Sequence, residues 1–318
     1  MSVARVLVTR HVPPGGLDPL VEAGHEIVSS ENDAPYSPDE LRDLAPGVDA
    51  IISMLTDQIT GEILQAGASG LLKVVANAAV GYDNVDVASA HRLGLSVCNT
   101  PGVLDQTTAD LTFLLILATR RQTSTAEADL RDGTWKGWGF LDHLAHDIHG
   151  ATLGLVGYGR IGQEVARRAE GFGMTVLHHT RTPTGHPGYV ASLLSLIEQS
   201  DVLSVHVPLT PETHHLIGPE EFAMFHPTST LVNTSRGPVI DEDALVDALE
   251  AGKLFGAGLD VFDGEPAINP RILTAPRTVL LPHIGSATVE TRMNMARLAS
   301  QGVCAVLAGQ TPINIVLG

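Results

Sequence analysis

Two series of short apolar runs, separated by polar stretches bearing Pro and Gly, organise this chain. The first series falls at residues 5–9, 50–54, 72–77 and 95–99. The second falls at 153–156, 175–178, 202–206, 230–233, 256–260 and 278–281. Short runs that stay apolar on consecutive positions suit strands covered on both faces, the situation in a parallel sheet. The alternation of such strands with longer connections predicts βαβ units in both halves. A helix is readable after residue 160, where Ile161, Val165, Ala166, Ala169 and Phe172 fall on one stripe. Another begins beyond Ser286, with Val289, Arg292, Met293 and Ala296, and is placed to return to the first series. A third, at 111–119, is apolar on nearly every side. The expected fold class is α/β, with two doubly wound parallel-sheet domains.

The second series opens on a recognisable ligand turn. Thr152-Leu153-Gly154-Leu155-Val156 reads as a buried strand and runs directly into Gly157-Tyr158-Gly159-Arg160-Ile161-Gly162. With a helix behind it, this G-x-G-x-x-G has the context in which the pattern binds a dinucleotide. Gly157 makes the tight turn, Gly159 lets backbone approach a pyrophosphate, and Gly162 permits close helix–strand packing. Arg160 and Ile161 open the helix whose N-terminus faces the phosphates. The next strand ends on Thr180-Arg181-Thr182, where an NAD site usually carries an acid for the ribose 2′-hydroxyl. Between Gly171 and Ser200 the only acid is Glu198. Thr180 and Arg181 therefore favour NADP(H), since an arginine attracts the 2′-phosphate that a carboxylate repels. The alternative is a solvated Arg181 in an enzyme that uses NAD(H).

Three further motifs spell a hydride-transfer chemistry. They are Asn233-Thr234-Ser235-Arg236-Gly237, then Asp260-Val261-Phe262-Asp263-Gly264-Glu265-Pro266, then Leu281-Pro282-His283-Ile284-Gly285-Ser286. Reduction of a 2-keto acid needs a cation for the carboxylate, and Arg236 offers a planar fork of permanent charge. It needs a proton donor beside the carbonyl, which His283 supplies, and an anion such as Glu265 that favours the imidazolium.

Together these motifs resemble the D-isomer-specific 2-hydroxyacid dehydrogenases, and most of all their glyoxylate/hydroxypyruvate reductase branch. The resemblance covers nearly all 318 residues. It implies catalytic roles for Arg236, Glu265 and His283, with Arg236 and His283 also touching substrate. Val80-Gly81-Tyr82-Asp83-Asn84-Val85-Asp86 matches an early family motif whose amides face the substrate carboxylate, which implicates Val80 and Gly81. The resemblance also places Thr108 and Asp260 on the nicotinamide side of the cofactor, Pro208 and Thr213 on the adenosine side, and Thr234, His283 and Ser286 among the residues that bind it. It implies Rossmann and flavodoxin-like domains with an active-site cleft between them. The expected substrate-binding domain is discontinuous, residues 1–99 plus 287–318, and the dinucleotide-binding domain spans 100–286. A homodimer is expected, with the 111–119 helix at its interface; burial inside the core is the other reading of that helix.

Composition sets limits. A net charge of −17 argues against nucleic acid, which requires basic patches. Two cysteines, Cys98 and Cys304, make no disulfide framework, and no leader segment is read, so the expected location is cytoplasmic. No apolar stretch is long enough to span a membrane. The histidines at 143, 146 and 149 have a spacing that metals sometimes use, but solvated imidazoles explain them as well and no metal is expected. Leu141 stands where some glyoxylate reductases place a bulkier residue, which leaves the substrate open. Another D-2-hydroxy acid (phosphoglycerate, lactate or an aryl-pyruvate type), or a dinucleotide-sensing corepressor-like role, are the alternatives to a small 2-keto acid reductase.

Overall fold

The computed structural model describes residues 3–30 and 32–317, and the chain divides into two compact units, 1–104 with 286–318, and 105–285. The first unit contains β1 (Arg5–Val8), α1 (Asp18–Glu22), β2 (Glu26–Ser29), α2 (Pro38–Leu44), β3 (Ala50–Ser53), α3 (Gly61–Ala68), β4 (Val74–Asn77), α4 (Val87–Arg92) and β5 (Ser96–Cys98). The second holds α5 (Asp105–Arg120), α6 (Thr123–Arg131), β6 (Thr152–Val156), α7 (Arg160–Gly171), β7 (Thr175–His179), α8 (Leu193–Glu198), β8 (Val202–Val205), α9 (Pro219–Phe222), β9 (Thr230–Asn233), α10 (Glu242–Glu250), β10 (Gly256–Leu259), α11 (Pro270–Thr274) and β11 (Thr278–Leu280). The last helix, α12 (Val289–Leu307), belongs to the first unit.

Both sheets are wholly parallel, so both faces must be covered by helices. In the first unit the strand order is β2-β1-β3-β4-β5. Leu7, Ile51, Val75 and Val97 face one core, and Val6, Ile52, Val74 and Cys98 face the other, with Ala299 and Val303 of α12 closing the second. β2 is the strand that the hydrophobic pattern does not announce. It is a half-exposed edge strand, so burial imposes no continuous apolar run on it.

The second sheet has the order β11-β10-β9-β8-β6-β7. Its direction of winding reverses between β6 and β8, the place where doubly wound folds receive ligands at the strands' carboxyl ends. α5 lies across β9 and β10 and buries Ala109, Phe113, Leu115 and Ile116. The 111–119 stretch is thus largely an internal core helix; Leu114 is its one residue that is more than half exposed. Residues 100–104 cluster with the first unit, tied to it by Thr100 N–H on the Ala79 carbonyl at 2.8 Å. Among the described residues, no helix is long and apolar enough to cross a membrane.

Candidate active site and dinucleotide turn

β6 delivers the chain to its glycine turn, and local sterics explain each glycine. Gly157 has φ +97°, and a Cβ there would meet the His206 carbonyl oxygen at 2.8 Å, just beyond β8. Gly162, in the first turn of α7, would set a Cβ 2.5 Å from the Gly157 oxygen. Gly159 differs, since a Cβ there would meet nothing within 4 Å. The outer glycines are thus needed by the protein itself, whereas the middle one leaves open space in front of the α7 N-terminus. Gly159 is also the N-cap of α7 and offers no side chain to its free N–H groups. An open cradle of unspent donors at a helix start fits a pyrophosphate. Arg160 is held there by Asp105, Nε to Oδ2 3.4 Å, and Ile161 packs on the core below.

At the end of β7, the Thr180 hydroxyl donates to the Thr182 carbonyl at 2.7 Å, and Arg181 is exposed beside it. The 208–213 loop is closed by the Thr213 hydroxyl, which donates to the Pro208 carbonyl at 2.7 Å and accepts from Thr210 N–H at 2.8 Å. That closure brings an acid into play that inspection of 171–200 misses. The exposed Glu212 carboxyl is held below its usual range by the Thr210 hydroxyl and its own backbone, and also by the charge of Arg181. His178 beside this region is fully buried, stacked on Tyr158 with centroids 4.0 Å apart, so it is a core imidazole.

The three chemical motifs converge at the carboxyl ends of β9, β10 and β11. In the first, the Asn233 side chain locks the turn: its Oδ1 accepts from Ser235 N–H and Oγ, at 3.0 and 2.8 Å, and its Nδ2 donates to the Arg236 carbonyl at 2.8 Å. Arg236 is thereby held extended, with Nη1 donating to the Ser235 carbonyl at 2.8 Å. Gly237 follows because a Cβ there would run into the Phe262 carbonyl. The glycine lets the arginine turn lie directly on the second motif.

Asp260 ties the second motif to the third. It accepts from Ile284 N–H through Oδ1 and from Gly285 N–H through Oδ2, both at 2.8 Å, while its carbonyl accepts from His283 N–H at 2.8 Å. Burial pushes the Asp260 carboxyl up to about 6, against the pull of those N–H groups and of His283. His283 itself takes φ +53°, a left-handed conformation unusual for a non-glycine residue and held here by these bonds. Glu265 accepts from Phe262 N–H through Oε1 at 2.7 Å, and its Oε2 lies 2.7 Å from Nδ1 of His283. Burial raises the Glu265 carboxyl, but the His283 bond and charge, the Phe262 N–H and Arg236 outweigh it, so the net shift is downward. With Nδ1–H donated to Glu265, Nε2 is the ring nitrogen left for a substrate.

Beside this set, the Thr112 hydroxyl donates to the Thr108 carbonyl at 2.9 Å and shares a hydrogen bond with the Thr234 hydroxyl at 2.9 Å. A Cβ on Gly285 would stand 3.2 Å from Asp260 Oδ2 and 3.6 Å from Thr108 Cγ2. Thr108, Thr234 and Asp260 are thus neighbours, and Thr112 joins them. The sequence signal for Thr112 is its place one helical turn after Thr108 inside an apolar run. Val80, Gly81 and Ser286 lie in the other unit; Ser286 there accepts from Thr288 N–H at 2.9 Å, just before α12. Of the spaced histidines, His143 lies 3.7 Å from Asp129 and His146 meets the Phe255 ring edge-on.

Comparison with known proteins agrees with this architecture. The profile of the D-isomer specific 2-hydroxyacid dehydrogenase NAD binding domain matches residues 113–285. The glyoxylate reductase of Thermococcus litoralis is 42% identical over 321 residues, spanning 98% of this chain and 96% of its own. A solved protein of Thermus thermophilus superposes with a TM-score of 0.92 at 45% identity, over 98% of this chain and 100% of that one. The NADPH-dependent glyoxylate/hydroxypyruvate reductase of Sinorhizobium meliloti, solved with NADP and malonate, gives a TM-score of 0.86 at 38% identity, over 99% and 97%. With a dinucleotide turn on β6, three cross-bonded motifs at the ends of β9 to β11, and relatives similar along its whole length, the chain belongs to the D-isomer specific 2-hydroxyacid dehydrogenases, a family of NAD(P)-dependent oxidoreductases.

Proposed function

We propose that this enzyme reduces small 2-keto acids, glyoxylate and hydroxypyruvate foremost, to glycolate and D-glycerate, with NADPH as the preferred reductant. The observation that carries the chemistry is the 2.7 Å contact of Glu265 with His283, set beside the locked arginine turn at 236. The names of the Thermococcus and Sinorhizobium relatives support the substrate class. A bound nicotinamide dinucleotide supplies the hydride. Arg236 takes the substrate carboxylate through paired charged hydrogen bonds, together with the Val80 and Gly81 amides. His283 Nε2 passes its proton to the carbonyl oxygen as C2 gains the hydride, and the Glu265 carboxylate stabilises the imidazolium until then. The neutral imidazole is reprotonated from solvent after product leaves. Holding two reactants in register contributes about 7–11 kcal/mol to such a step.

The residues proposed to hold the cofactor are Gly157, Gly159, Arg160, Ile161 and Gly162 at the phosphates, and Thr180, Arg181, Pro208 and Thr213 at the adenosine. Thr108, Thr234, Asp260, His283 and Ser286 serve the nicotinamide end. The NADP preference rests on Arg181 with no acid on its own strand end. The units 1–104 with 286–318 and 105–285 are the proposed substrate and dinucleotide domains.

A homodimer is part of the same reading. Trp138, Phe140, Leu141 and Leu144 are 81%, 81%, 75% and 63% exposed within one short stretch, an apolar surface that a lone subunit rarely leaves to water. The decisive experiment follows oxidation of NADPH and of NADH with glyoxylate and with hydroxypyruvate. Strong NADPH preference with either acid bears out both parts of the proposal. Robust turnover with NADH overturns the cofactor preference alone, and no turnover with either acid overturns the substrate class.

A further inference from the structure

The carboxyl edge of the first sheet carries a buried side-chain network that the proposed reaction does not use directly. Its winding reverses between β1 and β3. There Thr9, just past β1, donates its hydroxyl to Asp57 Oδ2 at 2.5 Å, and the same oxygen accepts from Met54 N–H at 2.7 Å. Asn84 Nδ2 donates to the carbonyls of Met54 and Asp57, at 3.0 and 2.8 Å, which fixes the turn after β3. Asn77, at the end of β4, exchanges hydrogen bonds with Asn84 at 3.0 and 3.2 Å and accepts from the Ser53 hydroxyl at 3.1 Å. Thr9, Ser53, Asp57, Asn77 and Asn84 are all buried. Polar groups so placed are costly unless bonded, and their geometry is therefore tightly held.

The network ends on the 79–82 segment, and it treats the two kinds of backbone group there differently. Every carbonyl in the segment is occupied. Ala79 accepts from Thr100 N–H at 2.8 Å, Val80 from Asn99 Nδ2 at 2.8 Å, Gly81 from Asn77 Nδ2 at 2.8 Å, and Tyr82 from Val85 N–H at 3.0 Å. The amides of Ala78 and Ala79 are also spent, on Ser53 and Asn77 carbonyls. Those of Val80, Gly81 and Tyr82 have no acceptor among the described residues. A carbonyl shares its peptide plane with the N–H of the following residue. The bonds to the Ala79, Val80 and Gly81 carbonyls therefore fix the Val80, Gly81 and Tyr82 N–H groups, and such a run of successive N–H groups attracts an anion.

We propose that Asn99 and Asn77 are positioning residues for substrate binding: by holding the Val80 and Gly81 carbonyls, they fix the peptide planes that carry the Gly81 and Tyr82 amides, and so present this run of amides to the carboxylate of the 2-keto acid. The inference rests on the function proposed above, and adds the side chains that prepare the amides for it. Neither asparagine touches substrate. Each acts by sparing the loop the ordering that binding would otherwise demand.

The test compares wild type with Asn99→Ala, Asn77→Ser and Asn99→Gln, measuring kcat, KM for glyoxylate and for NADPH, and inhibition by oxamate, an unreactive 2-keto acid analogue. Asn99 is the safer site, because its backbone links to Asn314 survive the change. In Asn99→Ala, KM for glyoxylate and Ki for oxamate should rise together about tenfold, the scale of one lost hydrogen bond to a positioned loop. kcat should stay within about twofold, and KM for NADPH should not move. Asn99→Gln, which keeps the amide donor, should recover part of the loss. A purely structural role predicts lower melting temperature and lower kcat with unchanged KM, and that result overturns the inference. Should Asn77→Ser fail to fold, Asn99→Ala decides alone. A wild type that turns over glyoxylate and binds oxamate, with variants equal to it, sinks the inference and leaves the proposed function standing. A wild type that neither turns over a 2-keto acid nor binds oxamate removes the proposed function and this inference with it.

Discussion

Glu265 Oε2 lies 2.7 Å from Nδ1 of His283 although the two residues are 18 apart in the chain. The contact exists because two loops leaving β10 and β11 are stitched together by Asp260, whose carboxylate and carbonyl take three N–H groups from residues 283–285. His283→Ala should lower kcat by about 10²–10⁴ and move the keto-acid KM far less, as loss of a general acid does. The pair should also leave a mark on stability. The Glu265 carboxyl is held below its ordinary 4.5, so its ion pair stabilises the fold above about that pH and is lost as pH falls through the folded value. The stability difference between wild type and Glu265→Gln should therefore be largest near neutrality and shrink on acidification. A difference that grows toward low pH would contradict the ion pair.

Asp260 carries the opposite sign. Its folded carboxyl, raised by burial to about 6 from 3.8, keeps a proton that the unfolded chain has already released. Stability therefore falls as pH rises from 3.8 to about 6 and then levels, by about 3 kcal/mol at most. Denaturant titrations of the cofactor-free enzyme across that window should show the slope, and Asp260→Asn should flatten it. An equal slope in both proteins would remove Asp260 as its source.

Arg236→Lys keeps the charge and loses the fork. A lysine cannot make two parallel bonds to a carboxylate, and the 236 backbone is already fixed by Asn233. Steady-state kinetics should give a keto-acid KM higher by about 10- to 100-fold, the worth of one charge-assisted bond, with KM for the cofactor unchanged. An unchanged keto-acid KM would remove Arg236 from the carboxylate site.

The proposed cofactor choice turns on two opposed surface charges. Arg181 attracts a 2′-phosphate, while Glu212, close enough to feel Arg181, repels it. Arg181→Ala should lower the NADPH-over-NADH ratio of kcat/KM about tenfold, and Glu212→Gln should raise it several-fold; both effects should fade as salt is added. Opposite movement in the Glu212 variant would show that the acid serves the ribose instead.

The glycines of the turn separate fold from ligand. Gly162→Ala sets a methyl group 2.5 Å from the Gly157 oxygen and should depress the melting temperature. Gly159→Ala meets nothing within 4 Å of protein, so the melting temperature should hold while the Kd for dinucleotide rises. A thermal penalty at 159 equal to that at 162 would argue against an open cradle.

Every strand but β2, the glycine turn and the three chemical motifs were legible in the sequence. Parallel strands are covered on both faces, so 50–53, 202–205 and 230–233 are buried at every position and hold apolar residues at half of them or more, and the glycines at 157, 162 and 237 are demanded by backbone contacts. The exposed edge strand β2 lacked that constraint and was not announced. Tertiary structure alone decided which side chains meet. Burial of Leu115 and Ile116 against the sheet, the approach of Glu212 to Arg181, the Thr112–Thr234 bond and the Asn77–Asn84 exchange all join residues from separate elements. Periodicity reports the environment of one segment at a time. Which loops converge at a sheet's carboxyl edge is fixed only when strand order and register are.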